Sequence, residues 1–180
     1  MEQQRNEFDK YNDADNEVWS AFCKTQFPSI EWKMIDTNSF DAYYGVDQLV
    51  TATTKNKQDT YNVELKMRPF PAYNVKYVKD CFLEVNRNKK IDRDGKNKKK
   101  IYVAIYPYIK GGGYIFIWDL TKFSDEDLEQ YRCTEKMNKR TCESRDEKDK
   151  VEKDVYKLPT SLAKAYPFET KQFYEGLDLK

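Results

Sequence analysis

The chain has no histidine. That absence excludes Ser-His-Asp and Cys-His catalysis, histidine-held metal centres and imidazole acid–base chemistry. An enzyme built on this sequence works with carboxylates, lysines, tyrosines, a cysteine or a carboxylate-bound metal. Cysteine is sparse: Cys23, Cys81, Cys133 and Cys142, none in a C-x-x-C pair. Without close spacing or histidine they do not form a zinc motif, and they read as small buried or neutral positions. Only Cys133 and Cys142 are near enough in sequence for a pairing to be considered. No apolar run approaches the ~20 residues of a membrane-spanning helix, so no membrane partner is expected. The opening "MEQQRNEFDKYNDADNE" is polar and acidic, unlike a signal peptide. Net charge is nearly absent too, at +1 from 32 basic and 31 acidic residues, so any basic surface has to be local.

What is present is charge, aromatic bulk and clear patterning. At 180 residues the chain suits one domain, 1–180, with a real core. Richness in Lys, Asn and Tyr fits an AT-rich genome, and the expected setting is the cytoplasm of a bacterial cell or a phage-infected host. Over 3–26, Phe8, Tyr11, Val18, Trp19 and Phe22 recur at helical spacing until Pro28. Residues 30–36 alternate as a strand. Residues 45–54 and 60–67 read as two more strands joined by the polar turn "KNKQD", and Pro69 and Pro71 close the run.

From Tyr73 to about Ile91 the spacing of Val75, Val78, Phe82 and Val85 predicts a helix. Two strands follow, 101–109 and 114–120, joined around "KGGG". That glycine run is a hairpin turn; it lacks the Gly-Lys-Ser/Thr and the following helix of a phosphate-binding loop. Ser124 reads as the N-cap of a short helix over 124–132. Residues 133–150 read as a charged, solvated loop and 151–159 as one more strand. The final twenty residues read as short helical pieces broken by Pro167 and Gly176. No internal repeat is evident.

The chemistry concentrates in "VELK", 63–66. On a strand Val63 and Leu65 face one way, Glu64 and Lys66 the other. A carboxylate can hold a hard cation, and an ammonium beside it can orient a water or offset developing negative charge. The bland reading is the wet face of a hairpin, and Glu-x-Lys recurs at Glu31–Lys33 and Glu169–Lys171. The 63–66 copy differs in context. Apolar residues bracket it, Asp47 lies on the strand before it, and an amphipathic segment with basic residues follows.

With these residues placed, the chain resembles the PD-(D/E)XK, or restriction-endonuclease-like, nuclease superfamily. The resemblance covers about residues 5–120 and leaves 121–180 as C-terminal additions. It implies an α/β (α+β) fold with a mixed central sheet flanked by helices. It implies Asp47 and Glu64 as ligands of Mg²⁺ (or Mn²⁺), the Leu65 carbonyl as a further ligand and Lys66 as the catalytic lysine. It also implies an acid on the first helix, Glu17, with Glu7 behind it, and polar residues on the second helix, Glu84 and Arg87, spaced i, i+3 on one face. The family's proline before the first acid is missing, since Val46 precedes Asp47, and Asp41 competes for the ligand role.

Arg87, Lys89, Lys90, Lys98, Lys99 and Lys100 belong to a basic run suited to phosphate contacts. Lys136, Lys139 and Arg140 are weaker candidates of the same kind. The expectation is a metal-dependent nuclease acting on DNA or RNA, with a homodimer compatible with that reading. The alternative is an inactive nuclease-fold protein that binds nucleic acid or serves as a phage or virion accessory protein.

Overall fold

In the computed structural model, residues 7–36, 47–68, 75–93, 98–106, 113–138 and 150–168 are described. Asp41, Cys142, Tyr73, Lys139, Arg140, most of the "KGGG" turn and the last twelve residues lie outside them, as do the side chains of Glu7 and Lys90. The order is α1 (Glu7–Gln26), β1 (Glu31–Asp36), β2 (Gln48–Thr53), β3 (Gln58–Met67), β4 (Asp80–Glu84), α2 (Val85–Arg93), β5 (Lys99–Tyr106) and β6 (Gly113–Asp119). After these come α3 (Asp125–Glu129), β7 (Arg132–Asn138), β8 (Lys150–Pro159) and β9 (Lys164–Phe168).

Two sheets result. The larger runs β1-β2-β3-β5-β6-β9 and the smaller β4-β8-β7. Every pairing is antiparallel except β3 with β5. A parallel pair needs a crossover, and the segment carrying β4 and α2 supplies it.

Each face of the larger sheet is covered. Val18, Trp19, Phe22 and Cys23 of α1 pack on Val50, Val63, Leu65, Val103, Ile105 and Ile115. On the opposite face Tyr102, Ala104, Phe116 and Trp118 meet Cys81, Leu83, Tyr156 and Leu158 of the smaller sheet. β5 therefore buries every residue from Ile101 to Tyr106, as expected of a strand covered on both sides. Trp118 keeps its indole N–H satisfied by donating to the Pro159 carbonyl at 3.0 Å.

Several expectations are met. α1, β1, the β2–β3 hairpin, β5, β6 and β8 fall where the patterns put them. Ser124 caps α3 with a full capping box to Asp127.

Three readings are corrected. The helix predicted over 73–91 is a short 3-10 turn (Val75–Tyr77), then β4, then α2. In "DCFLEV" the buried residues are Cys81, Leu83 and Val85, a period of two, and β8 supplies their hydrogen-bonding partner. Phe82, expected in the apolar stripe, is half-buried with the Lys157 ammonium 5.5 Å from its ring centre. The charged loop at 133–150 contains a strand, because β7 pairs with β8 along its whole length. Of the final twenty residues, expected as helical pieces, the described part is the end of a 3-10 turn (Thr160–Leu162) and the strand β9, which extends the larger sheet beyond β6; the rest of that expectation lies outside the described residues. Cys23 and Cys81 are buried free thiols, and Cys133 is half-exposed and free.

Gly113 marks the tightest join. A methyl group there would lie 2.5 Å from the Tyr106 carbonyl oxygen and 2.7 Å from the Phe168 ring. The carbonyl belongs to the backbone of β5 and has little room to move. Gly113→Ala is expected to cost about 1–3 kcal/mol, read as a lower urea midpoint with an unchanged slope.

Candidate functional site

The β2–β3 register sets the geometry. Its last pair is Gln48 with Val63, and Asp47 lies one residue beyond it. The Asp47 N–H donates to the Val63 carbonyl at 3.1 Å. Its carboxylate Oδ2 then accepts the Leu65 N–H at 2.7 Å. Asp47 is thus fixed against β3 at the point where β2 has not yet begun.

The backbone of Leu65 follows from the same alternation. The Arg68 N–H donates to the Ile105 carbonyl at 2.7 Å, so at this end of β3 the even-numbered residues turn their amides toward β5. Val63 and Leu65 turn theirs the other way, toward Asp47. The Leu65 carbonyl shares that edge, past the last β2–β3 pair.

Glu64 and Lys66 project from the face that the smaller sheet covers, beside Tyr102 and Ala104 of β5. Glu64 is 5% exposed. Its Oε1 lies 3.7 Å from Arg87 Nε, and its Oε2 has no hydrogen-bond partner among the described residues. Burial pushes the Glu64 carboxyl well above its usual range and the Asp47 charge pushes it further, against the pull of Arg87 and Lys66. Lys66 is shifted the opposite way: burial and then the Arg68 guanidinium lower its ammonium, with Glu64, Asp47 and Glu84 opposing.

Glu84, the last residue of β4, and Arg87, in the first turns of α2, complete the cluster. Burial alone would raise Glu84, but the hydrogen bond from Lys153 of β8, at 2.8 Å, holds it below its usual value. The Glu64 carboxylate is the main cause of a raised Arg87.

Below the cluster, Arg68 Nη2 donates to the Phe82 carbonyl (2.6 Å) and to Tyr102 Oη (2.9 Å), and Tyr102 Oη also donates to Phe82 (2.9 Å). Burial raises the Tyr102 phenol well above its usual value. These bonds join the strand of Glu64 and Lys66 to the strand of Glu84.

The structure thus brings together Asp47, Glu64, Lys66, the Leu65 backbone, Glu84 and Arg87. The pair Glu84 and Arg87 was expected on one helix face; instead a strand end and a helix start meet there.

Glu17 is not brought in. It is exposed on α1, while its neighbour Asn16 accepts a 2.8 Å hydrogen bond from Gln48 Nε2. The basic run is also dispersed. Lys99 pairs with Asp59 at 2.9 Å and lies 5.4 Å from the Tyr61 ring centre, on the α1 face of the sheet. Lys89 is exposed on α2, Lys98 is half-buried before β5, and the Lys100 backbone N–H donates to Thr121 Oγ1.

Sequence reading missed Lys153 and Arg68. Arg68 sits two residues past Lys66, so strand alternation puts it on the same face. No local signal marks Lys153, because its partner Glu84 is distant in sequence.

Among the described residues, no group of three or more acids and cysteines is placed to hold a metal ion. The available donors are two carboxylates and one backbone carbonyl. Mg²⁺ is bound through one or two carboxylates while keeping several waters, and the partnerless Glu64 Oε2 is a hard oxygen donor, so this set fits such an ion. Among the described residues, no helix is long and apolar enough to cross a membrane.

The Glu64 shift sets a sign for stability. A carboxyl whose pKa is raised on folding costs nothing below its unfolded value, near pH 4, and destabilises increasingly as pH rises from there to the folded value. Glu64→Gln is therefore expected to melt higher than wild type at pH 8 in EDTA. The gap should close as pH falls toward 4. A lower melting temperature across the whole range would contradict this.

No protein family, curated protein or solved structure matches the chain.

Proposed function

We propose that this protein is a divalent-cation-dependent phosphodiesterase acting on DNA or RNA, built on a restriction-endonuclease-like core. The observation that carries the reading is Glu64: a carboxylate buried beside Asp47, with one oxygen unpartnered, two residues from a half-buried lysine on the same face. Such a group is costly to keep unless something binds it. The element order supports the same reading. The resemblance implies a helix, three strands, a helix and a strand around a mixed sheet; here α1, β1 to β3, α2 and β5 follow in that order, with β5 parallel to β3. β4 is an added strand within the crossover.

The chain's own groups divide the work. Asp47 and Glu64, with the Leu65 carbonyl, would hold Mg²⁺ or Mn²⁺. That ion, when bound, supplies Lewis acidity and lowers the pKa of a bound water. Lys66 orients the attacking water or offsets charge developing on the phosphoryl oxygens. Arg87 faces Glu64 and adds a second positive charge where a phosphate would approach. Exposed lysines such as Lys89 give substrate affinity that weakens with salt.

A second reading has its own support. Asp47 already accepts the Leu65 N–H, and Arg87 faces Glu64. A site whose acids are partly met by the protein suits an inactive fold that only binds nucleic acid.

Cleavage of labelled DNA and RNA with Mg²⁺, Mn²⁺ or EDTA separates the two. The nuclease reading expects cation-dependent cleavage that drops by about 100-fold or more in Asp47→Ala, Glu64→Ala and Lys66→Ala, with melting curves retained. Wild-type levels of cleavage in all three variants, or none from wild type on either polymer, would overturn it.

A further inference from the structure

We infer that Lys153, on β8, is a positioning residue that holds Glu84 away from the cation site and so sets how strongly that site attracts a cation relative to a polyanion. The inference rests on the cation site proposed for Asp47 and Glu64. Lys153 Nζ lies 2.8 Å from Glu84 Oε1, and both side chains are partly shielded, at 21% and 34% exposed. Glu84 in turn interacts electrostatically with Glu64, Lys66 and Arg87.

The local charges alternate: Lys153, Glu84, Lys66, Glu64, Arg87. The acids Asp47, Glu64 and Glu84 lie among Lys66, Arg87 and Lys153, with the Arg68 guanidinium next to Lys66. Asp47 and Glu64 already repel each other. Without Lys153, Glu84 loses its ion-pair partner and adds an uncompensated negative charge beside Asp47 and Glu64.

Two effects follow from removing that one charge, and they have opposite signs. A divalent cation meets one more net negative charge and one more carboxylate free to turn toward it. A nucleic-acid phosphate meets one fewer positive charge. Loss of packing alone would weaken both, so opposite movement is a signature of the electrostatic role.

This gives the C-terminal third a function beyond extending the sheets. β7 and β8 carry no part of the proposed ligand set, yet β8 places the ammonium that tunes it.

The test measures Mn²⁺ binding by calorimetry on the full chain, and binding of a labelled oligonucleotide in EDTA. The proteins are wild type, Lys153→Met, Lys153→Arg and Lys153→Met/Glu84→Gln. Met keeps the length of the lysine stem. Lys153→Met is expected to bind Mn²⁺ about three- to tenfold tighter and the oligonucleotide weaker by a similar factor, the order expected of one unit charge near a protein surface. Lys153→Arg should behave as wild type. Adding Glu84→Gln should bring Mn²⁺ affinity back toward wild type.

If wild type binds Mn²⁺ and Lys153→Met binds it equally or more weakly, with its melting curve intact, the role of Lys153 is overturned and the cation site stands. If Lys153→Met fails to fold, the folded Lys153→Met/Glu84→Gln protein and Glu84→Gln alone decide. Weaker Mn²⁺ binding in Glu84→Gln, which leaves Lys153 unpaired, with recovery toward wild type in the double variant supports the inference; equal affinity in Glu84→Gln and wild type, or a loss in the double variant alone, overturns it. If wild type binds no Mn²⁺ at millimolar concentration, the cation site and the inference built on it both fall.

Discussion

β3 is covered on both faces, by α1 on one and by the smaller sheet on the other, and this constraint determines what its charged residues can do. On a hairpin open to water, Glu64 and Lys66 would be an ordinary solvated pair worth little. Beneath a second layer the same two groups lose water, and each is pushed toward its neutral form. The fold does not fill the space around Glu64 with enough donors to satisfy it. It surrounds the carboxylate with one guanidinium at ion-pair distance, a lysine on the same strand and a second acid. A chain selected for stability alone would place an apolar residue there, as it does at Val63 and Leu65 on the opposite face. The tension at Glu64 is the observation on which the proposed cation site rests.

The same covering explains the arrangement of the neighbours. Burying a charge requires compensation close by, and the compensation comes from every element around the site. α2 provides Arg87 for Glu64 and β8 provides Lys153 for Glu84, while Arg68, after β3, adds a like charge beside Lys66. Arg68 is held by the Phe82 carbonyl and the Tyr102 hydroxyl. Its charge is permanent, and it acts on Lys66 from the next position on the same face. The network contains two ion pairs, Arg87 with Glu64 and Lys153 with Glu84, and removing any member changes the charge felt by the others.

Much of this was legible wherever one local pattern determined the structure. The stripe of Val18, Trp19 and Phe22 identified the buried face of α1, and the alternation around "VELK" separated the faces of β3 correctly. The hairpin register then brought Asp47 beside Glu64, because both are set by one short turn. The failures share a cause. β4 looks helical by spacing, but β8, far along the chain, completes it as a strand; β7 and β9 likewise depend on partners that no local window contains. Glu17 and Asn16 show the limit on a helix. One residue rotates a side chain by about 100°, and the contact to Gln48 falls to Asn16. Lys153 was invisible for the reason β4 was: its meaning lies in Glu84.

The pairing of β4 with β8 also carries a consequence for the order of events during synthesis. Asp47, Glu64 and Lys66 emerge from a ribosome early, and the β2–β3 hairpin closes from contacts already made. The strand that carries Glu84 has no partner until residues 150–159 follow, and the lid over Glu64 cannot settle before then. Until β8 follows, the face of β3 that carries Glu64 and Lys66 lacks the sheet that buries it. Non-local strand pairing of this kind is slow to form. The burial that shifts Glu64 and Lys66 thus depends on a pairing that spans about seventy residues of chain, Glu84 with Val155.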